Sequence, residues 1–304
     1  MPYIDLLGQT EHYDTPQTFN YSKVANEIAA KGICSSNGKY GGTYFNAFQT
    51  FDIETTSVNK DPEEDGESFG FMYIWMACVN RHVVMGRTWD EFIMFEDCLQ
   101  EALQVKCPSA RLVTYVHYLA FEFQFIRNFV EFTDVFATEK RKIIRALANN
   151  FYEYRCSNRL SNMSLEKFIK NTPNAHYQKQ SGEDFDYNVF RTPITVLSNE
   201  ELGYCFCDVR GLYEAIEHLL EYDTLASIPM TSTGFLRREV REAMKKNYRN
   251  WYLIQHTQLT VPQYLLCKLA LRGGNAHANP TWSNEILGGQ DIEVEDWYET
   301  GDIL

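Results

Sequence analysis

The 304 residues are 44% hydrophobic, 23% charged and 14% aromatic, which is enough apolar material for one large or two modest cores and rules out a disordered chain. The formal charge of −13 argues by itself against a broad basic footprint for nucleic acid, yet metal-dependent nucleases concentrate carboxylates where metals sit, so it does not exclude one. The start, Met1-Pro2-Tyr3-Ile4-Asp5, has no basic and apolar leader, no apolar run approaches a membrane span, and the eight cysteines form no CxxC pair; the reading is a cytoplasmic protein (host cytoplasm for a viral source) with reduced thiols and no membrane partner.

Residues 1–45 are polar and weakly periodic, and read as an irregular extension with a short helix near Tyr21–Lys31. A strand follows at Phe48–Glu54, then an acidic Pro/Gly loop at 59–67. Phe69–Val79 is a long apolar strand, and Asn80-Arg81 turns into a second one, His82–Met85. Thr88 with Glu91 predicts a capping box opening a helix to about Gln104. Arg111–His117 reads as a strand and Ala120–Phe129 as a helix. Lys140–Ile144 and Asn150–Tyr154 read as a hairpin, with 145–149 ambiguous. Ser164 caps a short helix to Ile169, 171–197 is a loop, and Ser198 opens a helix to about Leu220. Beyond Tyr222 come a Ser/Thr/Pro linker at 224–234, a helix rich in Arg and Lys, a helix at about Pro262–Ala270, and an acidic tail. The basic helix reads either as a solvated face with Glu/Arg pairs or as a surface tracking a phosphate backbone. The element order fits a mixed α/β sandwich around a central sheet.

Three groups of residues carry chemistry. Asp52 and Glu54 are two apart on a strand and share a face, while Phe51 and Ile53 point to the other. Two acids on a buried strand are costly unless a cation neutralises them; the alternative is the solvated face of an edge strand. Tyr204 and Asp208 are four apart on a helix and share a face, a spacing that also suits an ordinary amphipathic edge. Glu122 is a lone acid among aromatic residues, a position the helix dipole alone would favour. Two-metal phosphodiester hydrolysis needs several carboxylates converging on cations roughly 3.5–4 Å apart.

The order of these groups resembles the three exonuclease motifs of family B DNA polymerases. Asp52-Ile53-Glu54-Thr55-Thr56 matches the first motif and Tyr204-Cys205-Phe206-Cys207-Asp208 the third. The second reads His117-Tyr118-Leu119-Ala120-Phe121-Glu122, with Tyr118 and Glu122 where the family has Asn and Asp. The longer Glu reach demands a compensating backbone shift if it is to hold metal. Asp184-Phe185-Asp186-Tyr187, ahead of Arg191-Thr192-Pro193, is similar to the protein-primed polymerases of phage and plasmid type. That resemblance implies a ribonuclease H-like exonuclease domain at 48–221, after an extension at 1–47, with 222–304 as a linker and the start of a polymerase region. It implies two Mg²⁺ or Mn²⁺ ions held by Asp52, Glu54, Glu122 and Asp208, Tyr204 orienting water, and Lys179 stabilising the scissile phosphate. It implies DNA contacts by Thr55, His117, Tyr118, Phe121 and Ser157. Leu271-Arg272-Gly273-Gly274 resembles the family's Tyr-x-Gly-Gly junction, adding Arg272 and Gly273 to the DNA-binding set.

The family's polymerase acids have no counterpart here, so the expectation is the front part of such an enzyme, as a fragment, split subunit or standalone nuclease, without polymerisation by this chain alone. The implied partners are single-stranded DNA 3′ ends, template-primer DNA, a terminal priming protein and the missing polymerase domain. Two alternatives stay open: a non-catalytic module binding single-stranded DNA or a priming protein, and a nuclease of the same fold acting on RNA.

Overall fold

The computed structural model describes residues 2–6, 8–36, 41–59, 68–139, 142–179, 189–246, 252, 256 and 259–270. The chain divides into two compact units, Met1–Glu239 and Val240–Leu304. In the second unit the described residues include a helix at Val261–Ala270.

The first unit is built on a mixed sheet of eight strands among the described residues. Its strands are β3 (Ile33–Ser35), β4 (Thr43–Asn59), β5 (Ser68–Val79), β6 (His82–Gly86), β7 (Arg111–Val116), β8 (Phe132–Ala137), β9 (Ile143–Ala148) and β10 (Tyr152–Cys156). They lie in the order β6-β5-β4-β7-β10-β9-β8, with β3 also paired to β4. β4, β7 and β10 run parallel and the remaining pairings are antiparallel. A separate hairpin joins β1 (Tyr3–Leu6) to β2 (Gln9–His12).

Period-2 patterning builds a core on each face. On one face Phe45, Phe51, Ile53 and Trp75 pack with Phe92, Phe95 and Leu99 of α2 (Trp89–Gln104) and with Val24 and Ile28 of α1 (Tyr21–Ala30). On the other, Tyr44, Phe48 and Ile74 meet Phe206, Val209 and Tyr213 of α6 (Asn199–Leu219) and Ile169 of α5 (Leu165–Lys170). Local signals act as expected: the Thr88/Glu91 box is formed, and Ser198 and Glu201 form a second on α6. Asn80 and Arg81 both take positive φ, the condition for a tight two-residue turn between β5 and β6.

Three expectations are corrected. The N-terminal residues are not irregular: β1, β2 and β3 form, β4 begins at Thr43, and Ile4, Phe19 and Phe45 are buried. The hairpin strands sit later, at β9 and β10, and β8 extends that ladder. The segment 224–234 is not a free linker, since Leu225 and Ile228 are buried and α7 (Ser232–Lys245) starts within it. The burial of Ile4, Leu225 and Ile228 depends on contacts distant in sequence, whereas β1 with β2 and β9 with β10 are local hairpins whose bounds the residue pattern left loose. Between β10 and α5, Ser157–Ser161 forms α4. The eight cysteines are free thiols; Cys78, Cys156, Cys205 and Cys207 are buried, Cys34, Cys98 and Cys107 half-buried and Cys267 exposed. Among the described residues no helix is long and apolar enough to cross a membrane.

Candidate active site

β4 outruns its parallel neighbour. Its last partner on β7 is Phe51 opposite Val116; beyond that, β7 turns away through Tyr118, held in the left-handed region at φ 64°, into α3 (Leu119–Ile126). A bulky residue rarely adopts that conformation outside sites where the surroundings impose it. The flank of β4 is therefore open from Asp52 onward, at the carboxyl end of three parallel strands, where open α/β sheets commonly bind ligands.

Asp52 and Glu54 project on the α6 side, opposite Phe51 and Ile53 in the apolar layer. Tyr204 and Asp208 face them from α6, which is fastened to β4 by the Thr50 hydroxyl donating to the Val209 carbonyl at 2.7 Å. Asp52, Glu54 and Asp208 each offer a carboxylate oxygen within 4.8 Å of the other two. Glu122, carried by the first turn of α3, lies beside Asp52 rather than in that triad. Its Oε2 and Asp208 Oδ1 are buried and lack hydrogen-bond partners. A bulge at Glu54/Thr55 shifts the register just after the acid pair, leaving Thr55 half-buried.

Lys179 reaches into the cluster. Its Nζ donates to Asp208 Oδ2 at 2.6 Å and to the Tyr204 hydroxyl at 3.0 Å, and lies 4.7 Å from the Tyr204 ring centroid. Burial works against its charge, but Asp208, with the charges of Asp52 and Glu54 behind it, offsets this and holds its pKa above the ordinary lysine range. The acids move the same way. Burial, then the charge of Asp208, pushes Asp52 up to about 7. Burial raises Glu54 and Glu122 well above the usual range, with the Asp52 charge adding to both. Burial also raises Asp208, against the opposing pull of Lys179. Among the described residues, four crowded acids outnumber Lys179 and the more distant Arg191, leaving an excess of negative charge that a bound cation would relieve.

These groups line a cavity of about 780 Å³. His117, Tyr118 and Phe121 form its rim; Tyr118 is 54% and Phe121 48% exposed. His117 is buried, its Nδ1 3.0 Å from the Ser157 hydroxyl, and burial with the nearby Lys179 charge pushes its pKa down to about 4, so the ring is neutral. Ser157 is fully buried behind that ring, so it borders the cavity through His117 rather than directly. Arg272, Gly273 and the segment Asp184–Tyr187 lie outside the described residues.

Two contributions escaped the sequence. The first turn of α5, with Leu165 and Glu166, lines the cavity; Ser164 signalled only a helix start. Arg191 bonds Glu201 through its guanidinium, donates its backbone N–H to Thr56 Oγ1 at 3.3 Å, and its charge reaches Glu54. No local spacing could have revealed that link.

The oxygen-only donor set of Asp52, Glu54 and Asp208, with orphaned oxygens on Asp208 and Glu122, fits a hard divalent cation. No protein-family model matches the sequence, and no curated protein matches it. Among solved structures, the chain is similar to a phi29 DNA polymerase complexed with single-stranded DNA, at TM-score 0.45 and 14% identity over 60% of this chain and 33% of that one. A ternary complex of phi29 DNA polymerase with primer-template DNA and incoming nucleotides gives 0.42 and 13% over 58% and 31%, and its orthorhombic crystal form 0.42 and 14% over 61% and 32%. The chain thus spans about a third of the polymerase it is similar to, and at these scores any functional conclusion rests on the site itself.

Proposed function

We propose that the first unit is a metal-dependent 3′→5′ exonuclease of ribonuclease H-like type, trimming single-stranded DNA ends as the proofreading portion of a DNA polymerase. The observation that carries the reading is the convergence of Asp52, Glu54 and Asp208 within 4.8 Å, flanked by Tyr204 and Lys179, at the wall of an open cavity. Asp52, Glu54, Glu122 and Asp208 would hold two Mg²⁺ or Mn²⁺ ions, which supply Lewis-acid activation of water and stabilise the leaving oxygen when bound.

The chain's own residues supply the rest. The Tyr204 hydroxyl orients the attacking water, its direction fixed by Lys179. The Lys179 ammonium places positive charge where the phosphorane develops negative charge. Phe121 and Tyr118 offer exposed rings for stacking the terminal bases, and Thr55 and neutral His117 offer hydrogen bonds to the last nucleotides. Ser157 orients the His117 ring. Arg272 and Gly273 belong to the same reading as further contacts to DNA.

The test is a 5′-labelled single-stranded oligonucleotide with Mg²⁺ or Mn²⁺. A ladder shortening from the 3′ end is expected, and Asp52→Ala abolishes it; undiminished cutting by that variant would refute the site. A matched RNA oligonucleotide reads the sugar preference.

The 2.6 Å Lys179–Asp208 pair favours one second reading, in which an ammonium already offsets the cluster and the module binds single-stranded DNA or a priming protein without cutting. Strand binding with no turnover in either metal selects it.

A further inference from the structure

Lys179 lies on a stretch without regular secondary structure, nine residues beyond the end of α5, so side chains must hold its backbone in place. Glu214 Oε2 accepts the backbone N–H groups of His176 at 2.6 Å and Tyr177 at 3.2 Å. Gly211, three residues earlier on α6, lets the same stretch lie directly on the helix. A Cβ there would stand 2.7 Å from the Tyr177 carbonyl oxygen and 2.7 Å from Ile169 Cδ1. The first of these is backbone, so it gives way only if the stretch moves. Glycine inside a helix costs about 1 kcal/mol against alanine, and the close approach accounts for it here. Tyr177 is fixed from its far end as well, its hydroxyl donating to Glu11 Oε1 at 2.7 Å on the N-terminal hairpin.

We infer that Glu214 and Gly211 are positioning residues for Lys179, acting through the backbone of residues 176–177; the catalytic meaning of this rests on the exonuclease reading above. Tyr204, Asp208, Gly211 and Glu214 follow one another along α6 at intervals of four, three and three, which keeps them along one side of the helix. The helix that presents the acid and the phenol thus also sets the distance of the ammonium from both. A shift of the stretch by about 1 Å would break the 2.6 Å contact to Asp208, and misplacement of that size in a reacting site can cost on the order of 10²-fold.

The experiment is acylation of the folded chain with sulfosuccinimidyl acetate, read at each lysine by mass spectrometry, beside single-turnover cutting and oligonucleotide half-saturation. In the wild type, Lys179 labels slowly relative to exposed Lys167 and Lys170. Glu214→Ala and Gly211→Ala each raise labelling at Lys179 several-fold and leave Lys167 and Lys170 unchanged. Glu214→Gln, which keeps an acceptor oxygen, stays near wild type. Cutting falls roughly 10-fold in Glu214→Ala with half-saturation unchanged. Adding Glu214→Ala to Lys179→Ala causes no further loss. Unchanged labelling at Lys179 in Glu214→Ala overturns the inference; should Gly211→Ala fail to fold, Glu214→Ala and Glu214→Gln decide alone. A wild type that protects Lys179 but never cuts overturns the nuclease reading and leaves the positioning role supported by labelling.

Discussion

The α6 side of the sheet holds two buried groups of opposite balance. Around Glu153, one carboxylate gathers partners in excess: Arg155 donates through Nε and Nη2 at 2.9 and 2.7 Å, Tyr44 at 3.0 Å and Arg111 at 3.3 Å, with Arg145 at 3.7 Å. Arg155 also holds the Leu225 carbonyl at 2.7 Å, tying the segment after α6 to the sheet. At the other end of β4, among the described residues, four acids face Lys179, with the charge of Arg191 reaching Glu54, and two of their oxygens lack hydrogen-bond partners. Burial is expensive in both places. The first group is closed and spends its contacts on structure; the second is left short of positive charge, the arrangement expected where a ligand completes the balance.

That contrast can be broken in four ways. The largest effect is on turnover: Asp208→Asn removes a ligand and the Lys179 partner while keeping shape, and should lower cutting by roughly 10³-fold, measured by single-turnover kinetics. A loss under tenfold would place the chemistry elsewhere. Glu153→Gln leaves Arg155 buried without its counter-charge and should cost about 3–5 kcal/mol in denaturant unfolding. If it unfolds like wild type, the arginine group is not structural.

The third way uses pH. Asp52 binds a proton in the folded state up to about pH 7, whereas unfolded it releases that proton near its ordinary value of 3.8. Between those limits the folded state holds more protons, so the contribution to stability falls as pH rises through about 7. Metal-free protein should lose on the order of a few kcal/mol between pH 5 and 8, and added Mg²⁺ or Mn²⁺ should restore melting temperature at pH 8 more than at pH 6. A metal response that is the same at both values would show that the acids do not take up the ion. The smallest effect is at the rim: Phe121→Ala should weaken oligonucleotide binding by about 1–3 kcal/mol, by fluorescence anisotropy, with melting unchanged.

What could be read from sequence was local. Asp52/Glu54 at strand spacing, Tyr204/Asp208 at helix spacing, the Thr88 box and the Asn80-Arg81 turn depend on neighbours within four residues, where backbone geometry fixes who faces whom. What could not be read was distant. Arg111 and Arg145 beside Glu153, the clamp of Glu214 on 176–177 and the burial of Ser157 behind His117 join segments that no periodicity relates. Residues 1–45 read as irregular because their strands are short; β1 and β2 pair with each other, β3 pairs with β4, and β1 packs against α6. Glu122 falls between: its helix was legible from the residues, and its place beside Asp52 was implied only by the resemblance.

The length of β4 makes the whole arrangement a matter of parity. Tyr44 at one end faces the arginine group and Asp52 and Glu54 at the other face the cavity, all even-numbered, while Phe45, Phe51 and Ile53 fill the opposite layer. Removing one residue anywhere between Tyr44 and Asp52 would exchange odd for even downstream, driving two carboxylates into an aromatic layer and two apolar side chains into the cavity. Removing two would restore the faces and only slide the acids along the strand by about 7 Å.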